Sequence, residues 1–222
     1  MLSIFSYMRD GNYLGAVISV LSRCFVVFCC LPIHELSHGL VAYWLGDDTA
    51  KLKGRLTLNP LAHLNPLGTI MLLLVGVGYA EPVPVNPRNF KNPKGGMALT
   101  ALAGPMSNLL MGWVSIWLFY ICNAYISNST FGSAVTFFFL YAAQINVMLA
   151  VFNLLPIPPL DGSKILAGLL PSKAYFKYMQ YERYVMIALF VLLLTGVLNG
   201  VISFLTGILI NFISIIPNMI FG

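Results

Sequence analysis

Long apolar runs alternate with polar stretches along the whole chain, and the lengths of the runs limit what they can form. Runs at 14–45, 97–122, 134–155, 184–198 and 201–221 are separated by polar stretches at 46–65, 80–96 and 163–183, and by an uncharged stretch at 123–133. About 20 apolar residues carry a helix across a bilayer. The pattern therefore predicts an all-α polytopic membrane protein with about five or six transmembrane helices. The first run, drawn as one helix, would extend about 48 Å, well beyond a hydrocarbon core of about 30 Å. It is expected to tilt, to kink near Pro32, or to protrude at one end. Asn199-Gly200 is read as a tight turn between the last two runs.

A further apolar stretch, 66–79, is short and carries Gly68, Gly76 and Gly78. Its place follows from charge. Lys51, Lys53 and Arg55, then Arg88, Lys91 and Lys94, then Lys164, Lys173 and Lys177 make three basic loops, and basic loops mark the cytoplasmic side. The uncharged 123–133 loop belongs on the other face. Both assignments hold only if the chain near 66–85 enters the membrane and returns, as a re-entrant, partly non-helical segment that protein or a water-filled cavity must shield. The first helix then runs inward and carries its polar residues toward the cytoplasmic half.

Composition narrows the class. The 222 residues are 59% hydrophobic and 9% charged, against about 25% charged for soluble domains. One membrane-embedded unit covering 1–222 is expected, with no cleaved leader and the lipid bilayer as its solvent. The net charge of +5 comes from scattered topology signals, so nucleic acid is excluded as a partner. Cys24, Cys29, Cys30 and Cys122 all lie in apolar runs and are read as small buried hydrophobes, although a thiolate ligand from Cys29 or Cys30 is conceivable.

Within the first run, His34-Glu35-Leu36-Ser37-His38 has the form H-E-x-x-H. Residues four apart share a helix face, so both imidazoles can reach one ion, while Glu35 stands beside the metal as a base for water. Ionisable groups inside a membrane segment are costly and mark functional sites. Three in five residues point to a cation. A catalytic zinc takes three protein ligands and leaves one position open. With only seven acidic residues in the chain, elimination favours Asp161, which follows Pro156, Pro158 and Pro159 and precedes Gly162. The alternatives are that Asp161 merely caps a helix beginning near Ser163, and that His63 is the third ligand.

The chain resembles the site-2 protease family of intramembrane zinc metalloproteases, in its compact prokaryotic form without PDZ or CBS domains. The resemblance covers about residues 25–175. It rests on the histidine motif followed by Gly46-Asp47, on Gly54-Arg55 through Leu58-Asn59-Pro60 to His63-Leu64-Asn65-Pro66, on Pro82-Val83-Pro84-Val85-Asn86-Pro87 with Ala103-Gly104-Pro105 and Asn108, and on Phe152-Asn153-Leu154-Leu155-Pro156-Ile157-Pro158-Pro159-Leu160-Asp161-Gly162. It implies one Zn²⁺ per chain held by His34, His38 and Asp161, with Glu35 as general base. It also implies that Asn108 and Asn153 line the substrate cleft or steady the oxyanion, with His63 as an auxiliary candidate. Asn65 and Glu81 depart from the pattern, outside the catalytic set. The expected activity is regulated intramembrane proteolysis of membrane protein or peptide substrates, in a prokaryotic cell membrane, from a site toward the cytoplasm. The sequence leaves substrate identity and oligomeric state open.

Three other readings compete for the same residues. A divalent-cation carrier with the same ligands needs no base beside His34, and no duplicated halves are visible. A zinc protease of the prenyl-protein processing type would draw its third ligand from Glu81 or Glu182. An inactive relative would not need the complete catalytic set that this chain retains.

Overall fold

The computed structural model describes residues 4–65, 70, 81–171 and 181–221. The segment predicted to be re-entrant, near 66–85, lies outside the described residues except for Ile70 and 81–85. A short helix, α1 (Ile4–Arg9), leads into α2 (Tyr13–Trp44). Next come a single turn, α3 (Thr49–Leu52), and then α4 (Pro93–Tyr125), α5 (Thr130–Leu154), α6 (Asp161–Leu169), α7 (Glu182–Leu194) and α8 (Val197–Phe221). Among the described residues, α2, α4, α5 and α8 are long and apolar enough to cross a membrane, and α7 adds a shorter apolar helix. The all-α polytopic expectation holds, and the protein is an integral membrane protein.

Polar side chains set the helix starts. Asn12 Oδ1 accepts from Gly15 N–H at 2.8 Å ahead of α2, and Asn92 Oδ1 accepts from Gly95 N–H at 3.2 Å ahead of α4, where Pro93 occupies a position that needs no N–H. Ser129 Oγ accepts from Gly132 N–H at 2.9 Å and starts α5. The long first run does not break at Pro32. It passes as one helix, with a π-helical turn at Val26–Cys30 that widens it just before the histidine motif, and Pro32 sits in the first turn beyond.

Small residues let the helices close on one another. Ala142, Ala143 and Ala150 of α5 are fully buried, and Gly112 of α4 lies against Val147 and the Ala143 carbonyl. Helices in lipid associate through such close packing, since lipid tails are as apolar as the side chains they would replace. Val26, Val27, Cys30 and Leu149 form the buried core between α2 and α5, immediately before the motif. The N-terminal half of α2 packs on α5 and its C-terminal half on α4, while α6 lies against α4 and the end of α5. Cys30 is buried, Cys24 and Cys122 are half-buried, and Cys29 is exposed, so the buried reading fails for Cys29. It lies on a helix face where lipid rather than protein surrounds an apolar run.

The last turn also differs from expectation. The chain reverses at Thr195 and Gly196, where Gly196 takes φ +75°, and Asn199-Gly200 lies inside α8. The left-handed position needs a glycine, and of the two candidates only Gly196 occupies it. Asn199 N–H instead donates to Gly196 O at 3.0 Å, closing the first turn of α8.

Candidate metal centre

His34 and His38 stand one turn apart on the buried face of α2. Their Nε2 atoms are 3.1 Å apart, with the rings edge to face. After α5 ends at Leu154, the proline-rich stretch leaves the helical path and α6 begins at Asp161 itself. That carboxylate enters the same space. Asp161 Oδ2 lies 3.4 Å from His34 Nε2 and 3.1 Å from His38 Nε2, and the three side chains are only 5%, 10% and 9% exposed. Among the described residues these three are the group of donors able to hold a metal ion. The first-turn position of Asp161 does not make it a cap: the carboxylate points across the bundle to the imidazoles.

The triangle fits zinc. Ligands about 2.0–2.1 Å from a tetrahedral ion lie about 3.3 Å from one another, close to the three edges of 3.1, 3.4 and 3.1 Å. The protonation states point the same way. Thr100 O can only accept, so His38 Nδ1 at 2.7 Å carries a proton, which leaves Nε2 as the nitrogen available to an ion. A carboxylate oxygen and two imidazole nitrogens meeting in a buried space need a proton or a cation between them, and an ion satisfies all three at once.

Other elements complete the surroundings. Thr100 and Gly104 lie on α4, and a Cβ built on Gly104 would come within 2.3 Å of His38 Nε2 and 2.6 Å of His34 Cε1. Glycine at 104 thus lets α4 approach to the distance at which the Thr100 carbonyl reaches His38. Asn108, one turn further, is fully buried, and neither of its side-chain polar atoms has a protein partner. Asn153 is half-buried in the last turn of α5. Glu35 stays outside the donor triangle; its Oε2 accepts from Val83 N–H at 3.1 Å. His63 is buried, but its Nε2 is 2.8 Å from Thr57 O and it is not part of the triangle.

The strap that reaches Glu35, 81–90, is tied by its backbone. Arg55 donates to Glu81 O at 2.8 Å and to Pro82 O at 3.1 Å, and its guanidinium lies 3.6 Å from the Glu81 carboxylate. Asp47 accepts from Asn86 N–H and from Asn89 Nδ2, both at 2.7 Å, and from Thr49 N–H and Oγ1. Burial pushes the Asp47 carboxyl up, but these donors outweigh it and hold it below the usual carboxylate range. The sequence reading did not single out Thr100, Val83 or the linking role of Asp47 and Arg55. The available signal was Pro82-Val83-Pro84, in which two prolines leave Val83 the one N–H donor.

A helical bundle with two histidines, an aspartate and a glutamate gathered at one buried point defines a membrane-embedded metallohydrolase. Comparison with known proteins gives its family. A family model described as peptidase family M50 matches residues 121–196, the part that carries Asp161. YwhC of Bacillus subtilis is 46% identical over 165 residues, covering 73% of this chain and 75% of YwhC. MJ0611 of Methanocaldococcus jannaschii is 32% identical over 161 residues, covering 67% and 74%, and Rip2 of Mycobacterium tuberculosis is 28% identical over 192 residues, covering 85% and 71%. All three bear the name of a zinc metalloprotease. No solved structure matches. The chain belongs to peptidase family M50, the site-2 protease family.

Proposed function

We propose that the chain is a zinc endopeptidase that cleaves other membrane proteins in or beside their membrane-spanning segments, as a single membrane-embedded unit with its site toward the cytoplasmic side of a prokaryotic cell membrane. The observation that carries this reading is the convergence of His34, His38 and Asp161 on one buried point, with Glu35 next to it but outside it. The orientation rests on the basic residues around α3, the strap and the start of α4, opposite the uncharged turn between α4 and α5.

His34, His38 and Asp161 would hold the ion, and Thr100 O orients the His38 ring. Zinc bound there supplies a Lewis acid that acidifies water and polarises a carbonyl. Glu35 takes the proton of the attacking water and hands it to the leaving amine. The Val83 amide fixes the direction in which the Glu35 carboxylate faces. Asn108, buried with free donor and acceptor atoms, lines the cleft and steadies the carbonyl oxygen; Asn153 lies at the same end of α5 as the aspartate. A substrate helix must unwind before attack, and the non-helical strap beside Glu35 offers its backbone to the unwound chain.

The test is metal analysis of the purified protein together with cleavage of a labelled single-span polypeptide in micelles. Wild type should hold one zinc, Asp161→Ala should lose it, and Glu35→Gln should keep it while cleavage drops by about 10²–10⁴-fold. Normal cleavage by Glu35→Gln would remove the assigned base, and metal flux through liposomes without cleavage would replace the protease by a carrier.

A further inference from the structure

The two oxygens of Asp161 face different ways. Oδ2 points into the imidazole pair, whereas Oδ1 accepts from Lys164 Nζ at 3.2 Å. The Asp161 side chain is 9% exposed and the Lys164 side chain 42%. The ammonium therefore covers the outer edge of a buried carboxylate from the water side. Helical geometry sets this up: α6 starts at Asp161, and a residue three further on lies over the same face. Ser163 Oγ donates to Leu160 O at 2.6 Å, bracing the entry to the helix.

We propose that Lys164 is a positioning residue of the metal centre, which holds Asp161 to one ligand oxygen. This rests on the metal-site reading above. A carboxylate has two oxygens with ligand capacity. If both turned inward, the second would add a fifth ligand and crowd the position that a catalytic zinc site keeps open for water. Lys164 binds the second oxygen through a charge-assisted hydrogen bond. It also draws negative charge away from the ligand, which leaves the bound ion the stronger Lewis acid. An exposed pair on a helix surface contributes little to stability, and a role limited to that would leave the metal centre unchanged. The two roles are therefore separable.

The experiment compares full-length wild type, Lys164→Met, Lys164→Gln, Lys164→Arg and Asp161→Ala, each purified in detergent and loaded with Co²⁺ in place of zinc. Visible absorption reports coordination number, because a fifth ligand weakens the bands of a tetrahedral site. The Lys164→Met and Lys164→Gln proteins should show weaker bands and faster loss of metal to a chelator. Their kcat on the single-span polypeptide should fall by about 10–100-fold, as for other groups that orient a metal ligand, with KM little changed. Lys164→Arg should restore both spectrum and rate. A wild-type cobalt spectrum in either folded neutral variant overturns the proposal, and so does failure of Lys164→Arg to restore what Lys164→Met loses. Failure of wild type to bind cobalt, or undiminished binding by Asp161→Ala, defeats the metal-site reading itself and this proposal with it.

Discussion

The two sides of Glu35 are built by opposite means. Toward the imidazoles, the site consists of side chains fixed on membrane helices, and what sets their positions is close packing: Gly104 of α4 pressed on both rings, and α6 seated against α4 and the end of α5. Toward the strap, the site consists of backbone. Residues 81–90 have no regular structure beyond one short turn, Pro87–Asn89, and only Val83 and Phe90 anchor them in apolar surroundings. Hydrogen bonds from distant side chains do the rest. Helices locate functional groups more sharply than loops do, while segments with few apolar contacts open at low cost. On the proposed function, the metal ligands sit on the rigid side, and the looser side is the part that a substrate would meet.

That contrast is most directly broken at Gly104. A valine there should push the imidazoles out of register, because the added carbon would overlap His38 Nε2 at 2.3 Å and neither ring can retreat without leaving the triangle. Overpacking strain of about 1–3 kcal/mol falls on the ligands, so metal affinity in competition with a chelator should drop by about 10–100-fold and cleavage should fall with it. Gly104→Ala should lie between Gly104→Val and wild type. Unchanged zinc affinity in Gly104→Val would mean that the helices are not the rigid partner.

The matching test on the loose side is Val83→Pro, which removes the N–H that Glu35 accepts from. A hydrogen bond to a charged group contributes about 1.5–3 kcal/mol, and kcat should fall by about 10–100-fold while zinc content stays at one per chain. Val83→Ala keeps the amide and should stay near wild type. Rate loss without metal loss is the signature that separates the strap from the ligand side; equal loss in both variants would make Val83 an apolar anchor and nothing more.

Legibility in the sequence divides along the same line. The histidine motif could be read because its geometry is local: a four-residue spacing on a helix needs nothing else to bring two rings together. Asp161 could be reached because a chain with seven acidic residues offers few choices and a proline break marks where the helical path ends. Four of the five long apolar runs could be read as spans from their length alone, whereas the 184–198 run forms only the shorter α7 among the described residues. Gly104 drew notice only as part of a resemblance, since the lack of a side chain acquires meaning only against the neighbouring helix it admits. Val83 meets Glu35 across 48 positions and Asn86 meets Asp47 across 39, separations at which no periodicity or turn signal survives. The misplaced final turn has a local cause: Asn199-Gly200 looks like a turn by composition, but Gly196 takes the left-handed position three residues earlier.

The smallest expected effect sharpens the comparison most finely, because it touches the strap without touching Glu35. Asp47 is fully buried and ties Asn86 and Asn89 to the end of α2. In Asp47→Asn, one acceptor oxygen becomes an amide facing N–H donors, so stability in detergent should fall by about 1–3 kcal/mol at neutral pH. The rate at saturating substrate should change less than in Val83→Pro. The pH dependence follows from the depressed carboxyl. A group whose folded pKa lies below its unfolded value of about 3.9 contributes its full stability above that value and loses it as pH falls through the folded one. The gap in melting temperature between wild type and Asp47→Asn should therefore be constant from pH 5 to neutrality, as an approximate window set by that unfolded value, and should narrow on further acidification. A gap that widens as acid is added would mean that the Asp47 carboxylate is not what holds the strap over the base.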